Sequence, residues 1–453
     1  MKKVICKNEI HDTVIERFAS DASGICRING MTVFVPNALP REKIRVRIVK
    51  VLSTYAYGKI EEILLPSEQR TDPECPCYGR CGGCDTRHMN YMEELRMKTD
   101  SVNDTLSRIG HLDHSVRKVT ESPACGRYRN KVSYSYANLN GRIVHGFYRE
   151  RTHDVIPVSD CLLQPEFFSR IAAALTELLN HYGFRAYEEK DGSGSVRHLF
   201  IRSAHSTGET VLVLTSARGL GEYTNRIVQK LTEQFPEITG ILLNIDKDPG
   251  NKLLKGDFHT LWGKETITDI LCGLSFELSP LSFYQINSPQ AEQLYEKVKE
   301  YAIRSKEDSI LDLYCGIGTI SLVLAKEARR VVGVEIVDAA IENAKRNAER
   351  NHLENAEFYC SDAASFRSNI ESIGFIPDCV VLDPPRKGLD PITIDNICAY
   401  SPERIVYVSC NPATLARDLG LFSENGYSVN DLAAYDMFPR TTHVETVVLL
   451  SRA

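Results

Sequence analysis

The 453-residue sequence contains no apolar run of the roughly 18–20 residues that a membrane-spanning helix needs. Its opening residues, MKKVICKNEIHD, lack the apolar core of a secretory signal. The expected location is therefore the cytoplasm, with no membrane partner. An overall basic excess is also lacking: the formal charge of −6 argues against a surface that binds polyanions everywhere. That deficit is uneven. Residues 1–60 hold eleven Lys and Arg against five Asp and Glu, a local +6 that leaves −12 for the remainder. A basic module on an acidic body accommodates nucleic acid locally. In a cytoplasmic chain the fourteen cysteines read as thiols, metal ligands or a nucleophile rather than as disulfides. The length suits two or three domains.

The most informative stretch runs from Ser309 to Val337. Ile310 to Tyr314 reads as a strand, Cys315-Gly316-Ile317-Gly318 as a turn without bulky side chains, Thr319 to Ala328 as a helix, and Val331 to Val334 as a second strand ending in Glu335. In such a βαβ unit the glycines let the backbone approach a ligand, the helix presents free N–H groups, and the acid accepts hydrogen bonds from ribose hydroxyls. The pattern serves dinucleotides and S-adenosylmethionine alike.

Upstream, residues 1–64 alternate β-patterned runs with turn signals, including the hairpin pair Asn29-Gly30. Five short strands with Arg45, Arg47 and Lys50 outward suggest a small OB-like barrel that holds single-stranded RNA on one face. Next, CPCYGRCGGCDTRH has too few apolar residues for its own core, and Cys75, Cys81 and Cys84 stand as C-x5-C-x2-C. Closely spaced thiolates suit a soft metal or an iron–sulfur cluster, and with one tight pair present the fourth ligand must be distant; Cys161 is the candidate and Cys77 a decoy. Spacing alone leaves zinc and iron–sulfur open. From Gly126, Arg127, Arg129, Lys131, Arg149 and Arg151 interleave with tyrosines and phenylalanines, a composition for phosphate neutralisation and base stacking that also suits an antiparallel sheet. Residues 165–280 read as an α+β domain, and Phe283 to Asn287 as an entry loop carrying Gln285.

Asp383-Pro384-Pro385 lies at the C-terminal end of a buried strand, the edge where α/β sheets bind ligands. It ends in Arg386 rather than in the aromatic residue of enzymes that methylate exocyclic amines, and it lacks the Pro-Cys of cytosine-C5 enzymes. The next strand ends in Cys410-Asn411-Pro412, where a helix begins; the helix dipole is expected to ease ionisation of the thiol. Glu445 precedes a buried strand beside His443 and needs a partner or a catalytic purpose.

Together CPCYGRCGGC with Cys161, SFYQIN, DLYCGIGTISL, GVEIV, DPPRKGL, VSCNPATLARDL and HVETVVLL make the whole chain resemble the RNA 5-methyluridine (uracil-C5) methyltransferases, most closely the ribosomal-RNA type with a TRAM barrel and a [4Fe–4S] cluster. The resemblance implies a Rossmann-like class I methyltransferase domain at 281–453, a central α+β iron–sulfur domain at 65–280 and an OB-like TRAM β-barrel at 1–64. It implies Cys410 as nucleophile and Glu445 as general base; Gln285, Tyr314, Glu335 and Asp383 as contacts to S-adenosyl-L-methionine; and Cys75, Cys81, Cys84 and Cys161 as cluster ligands. The implied substrate is a flipped-out uridine of 23S ribosomal RNA, acted on by a monomer, with transfer RNA as the alternative. Two other functions compete. A nicotinamide-dependent oxidoreductase lacks its third glycine, since Ser321 stands there, and gives Cys410 no task. A non-catalytic RNA-binding factor leaves the catalytic set unexplained.

Overall fold

The computed structural model describes residues 5–246, 254–363 and 365–452. Its first sheet contains β1 Ile10–Val14, β2 Arg17–Phe18, β3 Gly24–Ile28, β4 Met31–Val35, β5 Lys43–Val51 and β6 Tyr55–Leu65, in the order β1-β5-β6-β4-β3-β2. Alternate residues Val33, Val35, Ile44, Val46, Ile48 and Ala56 fill one core, the period of two expected of a half-buried strand. Asn29 and Gly30 both take positive φ, 51° and 81°, as a two-residue type I′ hairpin requires. Six strands replace the expected five because TVIERFA divides at Ile15-Glu16: Ile15 N–H donates to Glu42 and Glu16 N–H to Ile25, so the chain passes from one sheet edge to the other.

Helix α1 (Tyr91–Ile109) and the short β7 (Val119–Thr120) follow. A second sheet is built from β8 Lys131–Leu139, β9 Arg142–Tyr148, β10 Val155–Pro157, β11 Val196–Ser203, β12 Thr210–Ser216, β13 Ile238–Ile245 and β14 Asp257–Gly263, in the order β10-β9-β8-β11-β12-β13-β14. Helices α2 (Glu166–His181) and α3 (Thr224–Gln234) cover one of its faces. Phe200, Val211, Val213 and Leu242 on the other face share a core with the C-terminal domain.

That domain begins with the hairpin β15 Ile267–Leu271 and β16 Leu274–Leu278, followed by α4 Ser288–Ala302. Its sheet strands are β17 Ser309–Leu313, β18 Arg330–Glu335, β19 Ala356–Cys360, β20 Cys379–Leu382, β21 Arg404–Ser409, β22 Tyr427–Tyr435 and β23 Glu445–Arg452. Between them run α5 Thr319–Ala325, α6 Asp338–Arg350, α7 Phe366–Ser372, α8 Pro391–Tyr400 and α9 Pro412–Glu424. The sheet order is β19-β18-β17-β20-β21-β23-β22-β7, parallel from β19 to β21, with β23 antiparallel to both its neighbours. Successive strand residues alternate between two cores: Ile310, Val381, Val406 and Val447 face one, and Leu311, Val380, Ile405 and Val448 the other. This is a doubly covered α/β sheet, and its strand order reverses between β17 and β20, where such sheets open a ligand crevice.

Residues 65–280, expected as one central domain, do not form a single unit. β7 pairs with β22 and so covers the edge of the C-terminal sheet, while α1 packs on α9. The β15–β16 hairpin bridges two units: Asn351 and Asn347 of the α6 region accept its Ser275 and Glu277 N–H groups, while Ser206 N–H donates to its Asp269 and its Thr268 N–H donates to Glu209 of the central sheet's β11–β12 turn. An apolar hairpin offers no sequence signal of which neighbour it packs on.

Candidate functional site

The register of the catalytic sheet gathers the expected residues along one edge. Leu313 of β17 stands level with Val334 of β18 and Leu382 of β20, so the next residues, Tyr314, Glu335 and Asp383, emerge side by side. Ser409 pairs with Thr446 across the antiparallel β21–β23 ladder, which sets Cys410 opposite Glu445. Tyr314 holds a left-handed φ of 67° while its N–H donates to Val334; a non-glycine residue in this region stores local strain. The Glu335 carboxylate accepts from the N–H groups of Gly316 (3.3 Å) and Val337 (3.0 Å), which fixes it at the turn. Gly318 at φ 82° starts α5 where a Cβ would press on Phe358 at 3.0 Å, so backbone approach and packing both require glycine. Gln285 is buried, its main-chain carbonyl accepting from Asn130 Nδ2 at 2.8 Å. The loop before it leaves Phe283 67 % exposed.

Burial disfavours charge on both Cys410 and Glu445. The Cys410 thiol is pushed up to about 11 by desolvation and by the neighbouring Glu445 and Asp383, against a lowering pull from Arg386. Glu445 is held well above the usual carboxylate range by burial and by Asp383, again opposed by Arg386. Asp383 is raised to about 7 by burial. The eased ionisation expected of a thiol at a helix start is therefore not found: desolvation and two carboxyl groups outweigh the dipole of α9. Asp312 beneath the turn is also raised to about 7 by burial, although Ser321 Oγ donates to it at 2.5 Å.

Arg386 is the residue whose role went unread in the sequence, where it served only to exclude amine substrates. Its guanidinium lies 3.0 Å from His443 Nε2, and its charge pulls down both the Cys410 thiol and the Glu445 carboxyl, so the two groups share this cation. The loop that carries it is locked to α9. Asn411 Nδ2 and Thr414 Oγ1 donate to the Arg386 carbonyl, and Arg417 donates to the Lys387 and Leu389 carbonyls. Asp418 accepts from Leu389 N–H and Tyr407 OH. DPPRKGL and SCNPATLARDL are thus one interlocked unit.

On the other side, the strap 436–443 that leads into Glu445 is held from several elements. Lys98 donates to Asp436 (2.6 Å), Glu94 (2.9 Å) and the Phe438 carbonyl, and Tyr91 OH to Asp436. Tyr128 OH donates to the Pro439 carbonyl and Asn287 Nδ2 to the Met437 carbonyl. Asp85, beside Cys84, donates its N–H to the Arg440 carbonyl at 2.9 Å and accepts from Thr442 N–H at 3.0 Å.

Cys75, Cys81, Cys84 and Cys161 all line one cavity of about 670 Å³, with Cys77 on the same wall. Cys77 is tied to the Pro157 carbonyl and packs with Ile156 and Val158, whereas Arg87 Nε donates to Cys84 Sγ at 3.3 Å. Arg129 also lines the cavity, and its Nε has no partner. Among the described residues, no three His, Cys, Asp or Glu side chains stand close enough to hold a single metal ion.

The barrel departs from expectation on its basic face. Arg45 is bound by Asp12 (2.9 Å) and Glu62 (2.7 Å), and Arg47 by Glu61 (2.6 Å). The strand charges of Arg45 and Arg47 that suggested a nucleic-acid face are thus neutralised by acids brought opposite them by register, whereas Lys50 forms no ion pair among the described residues.

The model of the tRNA (uracil-5-)-methyltransferase family matches residues 272–453, and that of the TRAM domain matches residues 8–60. An RNA methyltransferase of Listeria innocua, described as uncharacterized, is 40% identical over 445 residues, covering 98% of each chain. One of Clostridium acetobutylicum with the same description is 40% identical over 457 residues, covering 100% of this chain and 99% of the relative. Among solved structures, the tRNA (uracil-54, C5)-methyltransferase of Pyrococcus abyssi in complex with S-adenosyl-L-homocysteine is similar with a TM-score of 0.78 at 28% identity, covering 97% of this chain and 100% of the other. With its N-terminal TRAM domain and its class I methyltransferase sheet, the chain belongs to the RNA uracil-5-methyltransferase family and is an S-adenosylmethionine-dependent RNA methyltransferase.

Proposed function

We propose that the chain methylates C5 of a uridine in 23S ribosomal RNA through a covalent adduct at Cys410. The observation that carries the chemistry is the β21–β23 register, which sets Cys410 opposite Glu445 with Arg386 against both. Bound S-adenosylmethionine supplies an electrophilic methyl group and a fixed positive charge beside these acidic groups. Gln285, Tyr314, Glu335 and Asp383 are the residues that hold it.

Uracil C5 is a poor nucleophile, and a thiolate adding to C6 turns it into the reactive carbon of an enolate. In this reading Cys410 Sγ gives its proton to solvent and bonds to C6, and C5 becomes methylated as the donor's methyl–sulfur bond breaks. Glu445, acting as the carboxylate, takes the C5 proton, and the Sγ–C6 bond breaks as the ring double bond re-forms. Two buried anions side by side are costly, and Arg386 is the counter-charge that favours the ionised form of each. The target base must leave its stack to reach Cys410 at the sheet edge, which favours a loop or opened RNA segment.

Cys75, Cys81, Cys84 and Cys161 are the residues that would hold a [4Fe–4S] cluster. Their convergence on one cavity is what supports this reading, and Arg87 and Arg129 beside them offset thiolate charge. The cluster's part is a clamp on a loop without an apolar core of its own. We further propose a cytoplasmic monomer.

A second reading, transfer RNA as substrate, is favoured by one observation. The Pyrococcus abyssi transfer-RNA enzyme aligns with 97% of this chain, so possession of the N-terminal barrel does not separate the two substrate classes. Mapping 5-methyluridine in both RNAs from a strain lacking the protein tests the choice: loss at one 23S uridine supports the proposal, and loss confined to transfer RNA replaces it.

A further inference from the structure

The outward face of the barrel changes character along the β5–β6 ribbon. At one end its arginines are neutralised by Asp12, Glu61 and Glu62. At the other end the register lines up Lys50 of β5, Tyr57 of β6 and Phe34 of β4 in one row, and Tyr55, Thr32 and Arg27 in the next. The inward partners of these rows, Ala56 and Val33, are fully buried in the barrel core, so the six residues point outwards. The three rings touch one another: Phe34 and Tyr55 at 5.5 Å between centroids, Tyr55 and Tyr57 at 5.6 Å, Phe34 and Tyr57 at 5.9 Å. All three are partly exposed, whereas Arg27 and Lys50 at the row ends are exposed.

A water-facing triad of aromatic rings contributes nothing to the barrel core, which lies on the other side of the sheet. Its surroundings carry mixed charge: Arg151, from the β9–β10 hairpin of the central sheet, and Asp21 both act electrostatically on Tyr57. Arg151 is itself paired with Glu150 only at the surface, where such a pair is weak and readily exchanged. Cations stand at both row ends and on the facing hairpin, while Asp100 and Asp104 line the groove on the Phe34 side together with Arg17 and Arg108. Rings for bases and cations for phosphates are the two components of a sequence-tolerant single-strand platform.

We infer that Phe34, Tyr55 and Tyr57 form a stacking platform for single-stranded RNA flanking the target uridine, with Lys50, Arg27 and Arg151 on its phosphates, and that the Arg45–Arg47 end of the barrel takes no part. The inference rests on the chain being an RNA methyltransferase and deepens that reading by naming the binding face.

The test is fluorescence anisotropy of the full-length, cluster-containing protein with a labelled oligouridylate. Y57A is expected to weaken binding about 5- to 100-fold, the worth of one stacked base, and Y57F to keep most of the affinity. K50Q should reduce the slope of log affinity against log salt by about 0.7, one phosphate contact on a single strand. R47Q, at the neutralised end, should leave both quantities unchanged. Melting temperature and S-adenosylhomocysteine affinity, measured on each variant, report whether the fold and cofactor site survive. A natively folded Y57A that binds with wild-type affinity overturns the inference and leaves the face to a protein partner, as does an R47Q that loses as much as Y57A. Wild-type protein that binds no RNA overturns the underlying reading instead.

Discussion

Replacing Arg386 by Gln removes a cation that lowers both Cys410 and Glu445. With its thiol at about 11, Cys410 is ionised in roughly one molecule in a thousand at pH 8, against about a quarter for an unperturbed cysteine. A neighbouring cation shifts such a group by about 1 to 3 in pKa, and because Arg386 is exposed the lower end applies. R386Q should therefore hold about tenfold less thiolate. The assay is timed iodoacetamide alkylation at several pH values, following the Cys410 peptide by mass spectrometry with the exposed Cys6 as internal reference. Alkylation of Cys410 should slow about tenfold at pH 8 while Cys6 is unchanged, and S-adenosylhomocysteine should bind as before. An R386Q protein whose Cys410 reacts at the wild-type rate would refute the assignment of Arg386 as the thiolate's counter-charge.

D85A should leave the melting temperature nearly unchanged, because the carboxylate is exposed and water replaces its bonds, yet it should accumulate covalent RNA adduct on denaturing gels as the strap drifts and Glu445 no longer removes the C5 proton. K98M strips the cation from buried Glu94 and Asp436 and should cost about 3–5 kcal/mol, read as a fall in denaturant midpoint. C161S should lower iron and acid-labile sulfide per chain, measured by elemental and colorimetric analysis, while C77S keeps both. Stability should fall as pH rises from about 4 to 7. Asp312 is raised from 3.8 to about 7 in the folded state, so over that interval the folded protein holds a proton the unfolded chain has released; D312N should flatten the thermal-melt slope with pH.

The cofactor edge was legible because its residues are strand ends. Once Ile310–Leu313, Val331–Val334, Cys379–Leu382 and Arg404–Ser409 are recognised as parallel strands, Tyr314, Glu335, Asp383 and Cys410 must share an edge. Glu445 follows from the antiparallel last strand. What stayed hidden depends on register or on contacts between distant segments. Arg45 and Arg47 look free in the sequence, and only the β1–β5–β6 pairing brings Asp12, Glu61 and Glu62 onto them. The parallel β4–β6 pairing likewise assembles Phe34, Tyr55 and Tyr57, which are separated by up to 23 positions in the chain. Arg386 reaches Cys410 and His443 only because α9 holds its loop, and the raised Cys410 thiol reflects burial that no local pattern encodes. That the β15–β16 hairpin bridges two units was hidden for a similar reason: its apolar alternation fits either neighbour.

Covalent activation of C5 through Cys410 is tested most directly by tritium release. RNA carrying uridine tritiated at C5, incubated with the protein and S-adenosylmethionine, should lose tritium to water in step with methyl transfer. C410A should release none. E445Q should form a gel-stable RNA adduct without releasing tritium. Tritium release by C410A at a rate near that of the wild type would contradict the account.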